Sequence, residues 1–168
     1  DPHPDVSAVP PLSYRDVFRS LFHSLKRSQF WMNGVIGALL YLAMSTFADL
    51  WGIPYMRQAH HLSATAANLT VSFTYLGFTV GAPLMGIISD RLKLRRPILM
   101  VGALVAAGLI TVVLYSSNLS IWLLDVLLFL FGMFAGAQGV VFAVGREVAD
   151  KSIAGSAVAL TNMFVMLG

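Results

Sequence analysis

The chain has 168 residues, of which 57% are hydrophobic and only 11% are charged, whereas an ordinary soluble domain carries about 25% charged residues. A water-soluble fold could not cover so much apolar side chain, and the mean hydropathy of +0.76 predicts a membrane protein. The sequence contains no cysteine, which excludes disulfides and thiolate chemistry, and its net charge of +3 is concentrated between the apolar runs.

Residues 1–29 differ from the rest of the chain. The first of them hold four of the seven prolines, which cannot continue a helix and predict an extended tether. Phe18, Leu21, Phe22 and Leu25 then recur at spacings of three and four with basic residues on other faces, which favours a short amphipathic helix on a membrane surface. Because the segment lacks the features of a signal peptide, we interpret it as an intracellular connector.

Four apolar runs are long enough to cross a bilayer core of about 30 Å, which needs roughly 20 helical residues. A fifth run begins like the others but is too short for a full crossing. The four spans are predicted at residues 30–51, 66–88, 97–115 and 121–144, and the incomplete span at residues 153–168. The predicted fold class is therefore all-α integral membrane, with residues 30–168 forming a transmembrane helix bundle.

The charged residues predict an orientation for this bundle. If each span crosses once, ten of the eleven Lys and Arg residues fall on the side of the amino-terminal segment, and only Arg57 falls on the other side. Loops rich in Lys and Arg stay in the cytoplasm, so the connector is predicted to be cytoplasmic. Topology also accounts for the pI near 9.5, which removes the reason to infer nucleic-acid binding.

Small residues mark where the spans approach each other. Gly77-x-x-x-Gly81 in the second span and Gly132-x-x-x-Gly136 in the fourth remove side-chain bulk and predict close helix packing, which is favoured over a dimer interface. Pro83 removes a backbone hydrogen bond from the second span and predicts a kink or hinge there.

A short basic loop joins the second and third spans. It reads Gly86-Ile-Ile-Ser-Asp90-Arg91-Leu-Lys93-Leu-Arg95-Arg96-Pro97. This loop resembles the G-x-x-x-D-R-x-G-R-R signature of the major facilitator superfamily, which lies between the second and third helices of each six-helix half. Lys93 stands where the signature has its central glycine. Arg146-Glu147, followed by the segment from Gly155 to Asn162, is similar to the start of the eleventh helix of that family.

The resemblance implies a transporter, and the basic tether before the first span resembles the connector between the family's two halves. The resemblance therefore predicts that the chain is the carboxy-terminal half, comprising helices seven to ten and part of eleven. The implied partners are a small solute, protons if transport is coupled, the lipid bilayer and the missing amino-terminal half. A bacterial inner membrane is the expected location, and no cofactor or metal is expected.

Alternating access requires polar contacts at the cytoplasmic ends of the helices to form in one state and break in the other. If the second helix continues through the loop, Arg91 and Arg95 share a face that Glu147 could meet. The predicted cytoplasmic gate comprises Gly86, Asp90, Arg91, Arg95, Arg146 and Glu147. The alternative is a loop that only sets topology, with solvated ion pairs worth about 0–1 kcal/mol each.

Ionisable groups within the spans are costly and therefore mark candidate sites. Tyr41, Ser45 and Asp49 follow one another at spacings of four and predict a polar stripe on one helix, while Asp125 lies near the outer end of the fourth span. The predicted pathway for solute or protons comprises Asn33, Tyr41, Ser45, Asp49, Asp125 and Gln138. The alternative is that both aspartates simply reach interfacial water.

Two functions remain open from the sequence. One is a secondary active transporter for a small solute, in which this chain supplies one wall of the central site. The other is a non-transporting membrane sensor or scaffold of similar topology. An enzyme is disfavoured because no pair of acid and base groups and no metal-binding motif is placed together, and the adjacent His60 and His61 are interpreted as part of a solvated loop.

Overall fold

The computed structural model describes residues 26–116, 118–149 and 154–167, together with Arg15, Arg19 and Phe22. Most of the predicted connector, Lys151 and the start of the fifth apolar run lie outside these residues. Every regular element in the described part of the chain is a helix, which confirms the predicted all-α fold class.

The helices follow one another with short connections. They are α1 Ser28–Ser45, a π-helical turn Thr46–Trp51, α2 Gly52–Ala59, α3 Ala64–Leu92, α4 Arg95–Tyr115, α5 Ile121–Ala135, a 3₁₀ turn Gly136–Gly139, α6 Val140–Val148 and α7 Ala154–Leu167. Among the described residues, four continuous segments are long and apolar enough to cross a membrane, namely Ser28–Ala59, Ala64–Leu92, Arg95–Tyr115 and Ile121–Val148. We call the end of the bundle that holds Arg95 and Glu147 the basic end, and the opposite end the far end.

The first segment contains a widened turn before α2. The backbone N–H of Gly52 donates to the carbonyl of Phe47, five residues earlier, as in a π-helix. Pro54 follows in the first turn of α2, where its missing N–H costs little. The segment therefore continues to Ala59, past the end of the apolar run at residue 51.

The connection between α3 and α4 is a tight turn. Lys93 follows the last residue of α3 with a φ of 56°, in the left-handed conformation that glycine most often supplies after a helix. The backbone therefore has the shape expected of the signature's glycine, although the residue is lysine. Because α4 begins only at Arg95, Arg91 and Arg95 lie on different helices, and the shared face expected from a continuous helix is not formed.

α3 and α5 pack with their backbones in contact. Gly77 and Gly81 of α3 face the backbone of α5. Gly132 of α5 and Gly136, at the start of the 3₁₀ turn, face the backbone of α3. A Cβ atom at Gly136 would lie 2.5 Å from the amide nitrogen of Ala82, so even a methyl group does not fit. The two G-x-x-x-G pairs oppose each other within the chain, which confirms the predicted close packing.

The segment from α5 to α6 is the centre of the bundle. In its apolar 18-residue stretch, 50% is buried, whereas the buried share is 22–28% in the corresponding stretches of the other three long segments. Leu124, Leu128 and Phe131 are fully enclosed, and Phe131 meets Phe47 of the π-helical turn edge to face, with ring centroids 6.1 Å apart. The outward faces of the other helices carry large apolar side chains such as Leu104, as a lipid-facing surface requires.

Candidate functional site

Arg95 holds three helices together at the basic end. Its Nη1 lies 2.5 Å from Asp90 Oδ1 at the end of α3 and 3.0 Å from Ser89 Oγ. Its Nη2 lies 2.6 Å and its Nε 3.1 Å from Glu147 Oε1 in α6, so the guanidinium binds this carboxylate through two nitrogens. We call Ser89, Asp90, Arg95 and Glu147 the arginine cluster.

Burial decides how much the arginine cluster stabilises the bundle. The Arg95 side chain is 20% exposed, while those of Asp90 and Glu147 are 66% and 50% exposed. Solvent screens pairs of this kind to about 1 kcal/mol each or less, so they contribute modestly to folding. Their geometry is more specific than their energy, because the planar guanidinium fixes the relative positions of α3, α4 and α6.

The other predicted gate residues surround this cluster without joining it. Arg91 and Arg146 are exposed at the ends of α3 and α6, and Arg146 borders a cavity of about 380 Å³ together with Glu147. A Cβ at Gly86 would meet no atom within 4 Å in the described chain. Arg27, which the sequence did not single out, donates from Nη1 to the carbonyl of Val148 at 2.9 Å, where the end of a helix favours a cation.

Asp49 and Tyr75 connect the first two long segments nearer the far end. The Tyr75 hydroxyl donates to Asp49 Oδ1, and both side chains are exposed. Asp49 lies in the π-helical turn, a kind of distortion that is frequent at functional sites. Tyr75 lies eleven residues into α3, which places this pair roughly 16 Å along the helix from its far end.

A second polar stripe extends from this pair along α3, and the sequence analysis missed it. Asn68, Ser72, Tyr75 and Thr79 recur at spacings of four, three and four, and all four are exposed. The side chains of Asn68, Ser72 and Thr79 each donate to the backbone carbonyl four residues earlier, at 2.7–2.8 Å. A search of the second predicted span for polar residues three or four positions apart would have found this stripe. We call these four residues with Asp49 the polar face.

Pro83 adds a backbone acceptor beside the polar face. Because proline has no N–H, it cannot donate to the carbonyl of Thr79, one turn earlier in α3. The helix nevertheless continues through Pro83, so the hinge at this position stays a prediction.

The remaining predicted pathway residues are distributed over the bundle. Tyr41 and Ser45 are partly buried on α1 before the polar face, and Gln138 is buried in the 3₁₀ turn. Asn33 is buried at the contact of α1 and α6, where Nδ2 donates to the carbonyl of Val141 at 2.8 Å. Asp125 faces away from the polar face, beside a separate cavity between α3 and α5.

The comparisons with known proteins agree with this architecture. The profile of the Major Facilitator Superfamily matches residues 2–168, so the chain belongs to that family, whose members are transporters embedded in a lipid bilayer. The comparisons with curated proteins and with solved structures give no significant match. The chain is therefore an integral membrane protein of the major facilitator type, a family whose members are transporters of small solutes.

Proposed function

We propose that this chain forms the carboxy-terminal half of a secondary active transporter that moves a small solute by alternating access, coupled to protons through Asp49. The observation that supports this most strongly is the hydrogen bond between Asp49 and Tyr75 within an exposed polar face. A carboxylate and four polar side chains are costly against lipid, and this favours a water-filled pathway or a polar partner opposite them.

The polar face supplies the chemistry that proton coupling requires. Desolvation disfavours the charged form of a carboxylate, whereas water and a donated hydrogen bond favour it. When the pathway is open to water, the Asp49 carboxylate accepts a hydrogen bond from the Tyr75 hydroxyl. When the pathway closes around Asp49 and excludes water, uptake of a proton neutralises the group. Protonation of Asp49 is thereby linked to the conformational state.

The partner that closes over the polar face is, on this proposal, the amino-terminal half of the same transporter. Rocking of two halves about a central site needs a surface that is alternately wet and covered. The polar face meets that need because most of its donors already have acceptors within the chain. Asn68, Ser72 and Thr79 donate to backbone carbonyls, and the Tyr75 hydroxyl donates to Asp49. When the partner half covers the polar face, its three hydroxyl groups therefore need no new acceptors.

The arginine cluster acts in this scheme as the cytoplasmic gate. Its ion pairs join helices of one half, so they keep the ends of α3, α4 and α6 moving as a unit. Asp90, the most exposed of the three charged groups, remains available to accept from the other half when the cytoplasmic side closes.

The proposed location is a bacterial inner membrane with the basic end in the cytoplasm. Single cysteines at Lys93 and Asn118, in the connections at opposite ends of α4, test the orientation because the chain has no cysteine of its own. We expect an impermeant thiol reagent to label position 93 only from the cytoplasm and position 118 only from outside. Labelling of position 93 from outside would overturn the orientation.

The proposed function is tested by uptake into proteoliposomes containing the full-length transporter. A panel of amino acids, sugars, organic acids and drugs, measured with and without a pH gradient, identifies the solute. Asp49→Asn should then abolish the dependence of uptake on the pH gradient while solute exchange is retained. Asp125→Asn, which alters a carboxylate outside the polar face, is the matched control and should keep the dependence.

Two outcomes contradict the proposal. If Asp49→Asn keeps the pH profile of the parent protein, proton coupling does not depend on the polar face. If no solute of any class is taken up by the folded full-length protein, a sensor or scaffold replaces the transporter as the proposed function.

A further inference from the structure

Asp125 lies in a cavity that is separate from the polar face. The cavity has a volume of about 190 Å³ and is lined by Phe73, Trp122, Asp125, Val126, Phe129 and Leu130. Phe73 is two residues before Tyr75, and a rotation of about 100° per residue places them on nearly opposite sides of α3. A ligand in this cavity would therefore not touch the polar face.

Asp125 is partly buried, and one of its carboxylate oxygens is out of contact with solvent. Asp125 Oδ1 is shielded from solvent and accepts no hydrogen bond from the described residues. All other residues of the wall are apolar or aromatic. A charge so placed is costly until a cation or a donor comes to it, which makes Asp125 a candidate ligand-binding group.

The composition of the wall selects the kind of cation. A metal ion such as Ca²⁺ needs six or more oxygen ligands, whereas this cavity offers a single carboxylate among carbon atoms. Three of the six side chains are aromatic, and aromatic rings attract organic ammonium groups through their faces. The volume equals that of about six water molecules, which is enough for an ammonium group with an apolar substituent.

The position of the cavity gives such a ligand a route. Asp125 is the fifth residue of α5, roughly 6 Å along the helix from Ile121. Trp122, one turn nearer the far end, is 79% exposed, as is typical of a tryptophan at a membrane interface. An amphiphilic cation in the adjoining leaflet can place its charge at Asp125 while its apolar part stays in the cavity.

We propose that the cavity around Asp125 is a binding site for an organic ammonium group with an apolar substituent, reached from the membrane interface. This site does not depend on the transport cycle. Failure of the proposed function would therefore leave it intact, and its own test uses no transport measurement.

The test follows the reaction of Asp125 with dicyclohexylcarbodiimide, a reagent for carboxyl groups in apolar surroundings. The full-length protein in dodecyl maltoside is treated with and without benzyltrimethylammonium, and modified peptides are measured by mass spectrometry. At a concentration of about ten times its Kd, the ammonium compound should slow modification of Asp125 roughly tenfold. Asp125→Asn, treated in the same way, is the control and should show no modification at position 125.

The uncharged isostere neopentylbenzene separates charge recognition from filling of an apolar cavity. It should leave the modification of Asp125 unchanged. Phe129→Leu, which removes a ring and keeps an apolar side chain, should weaken the protection roughly two- to thirtyfold. The same measurement in lipid nanodiscs identifies the natural source of the ammonium group. Protection of Asp125 by phosphatidylethanolamine but not by phosphatidylglycerol supports a lipid headgroup. Protection only by added ligand supports a soluble amphiphile.

The proposal is overturned by any of three results. The isostere could protect Asp125 as well as the ammonium compound does. Neither compound could protect it. Asp125 could fail to react at all, which would show that the carboxylate is in water.

Discussion

Replacement of Gly132 by alanine is expected to separate α3 from α5. A Cβ at this position would overlap the carbonyl oxygen of Thr74 and lie 2.8 Å from its carbonyl carbon and 3.0 Å from the nitrogen of Phe78. Ordinary contact begins at 3.4 Å, so the carbonyl carbon alone requires a displacement of 3.4 − 2.8 = 0.6 Å, and the oxygen requires more. Because these atoms belong to the backbone, no side-chain rotation can relieve the overlap.

The magnitude follows from two opposed effects. Overpacking of a close contact costs about 1–3 kcal/mol, and a backbone obstacle puts this site in the upper half of that range. Alanine recovers about 0.5–1 kcal/mol through its better helix propensity. The net destabilisation of about 1–2.5 kcal/mol should lower the Tm by roughly 2–10 °C for a chain of this size.

The assay is thermal unfolding of the purified protein in detergent, with Gly108→Ala as the matched control. A Cβ at Gly108 meets no atom within 4 Å, so this variant has only the gain in propensity and should match or exceed the Tm of the parent. If Gly132→Ala is as stable as Gly108→Ala, the backbones of α3 and α5 are not in close contact at this position.

Three further predictions concern the basic end. Lys93→Gly should raise the Tm by roughly 2–4 °C, because a residue with a side chain at φ 56° costs about 1 kcal/mol relative to glycine; an unchanged or lower Tm would contradict the left-handed turn. Arg95→Lys should impair uptake, since lysine cannot bind Glu147 through two nitrogens while also reaching Asp90. Because the ion pairs are screened by solvent, the Tm should fall by no more than about 4 °C. Wild-type uptake would exclude a role in gating. Gly86→Ala should leave the Tm unchanged or raised, because nothing in the described chain lies within 4 Å of a methyl group there. It should reduce uptake if Gly86 belongs to the cytoplasmic gate, and full uptake would remove Gly86 from the gate.

The helical spans and their close packing could be predicted because their signals are local. Long apolar runs interrupted by charges define the crossings, and glycines four residues apart mark the contact of α3 with α5. The π-helical turn at Thr46–Trp51 and the 3₁₀ turn at Gly136–Gly139 could not be predicted in this way. In a helix that is apolar all round, the hydrophobic pattern has no period from which a change of helical pitch could be detected.

The candidate sites were predicted less completely, since they depend on contacts between helices. The sequence identified Asp90, Arg95 and Glu147 individually, but the turn at Lys93, where glycine is expected, decides which arginine reaches Glu147. Asp49 was identified by its cost in a membrane, whereas its partner Tyr75 lies 26 residues further on and no spacing rule connects them.

The central claim is that the polar face lines a water-filled pathway that opens and closes during transport. Ser72→Cys introduces a thiol on the polar face, and Leu104→Cys introduces one on the exposed apolar face of α4. We expect a charged, impermeant thiol reagent added from outside to label position 72 of the full-length transporter much faster than position 104. Addition of the transported solute should change the rate at position 72 alone. Equal, slow labelling of both positions would show that the polar face is not in contact with water and would contradict the proposed pathway.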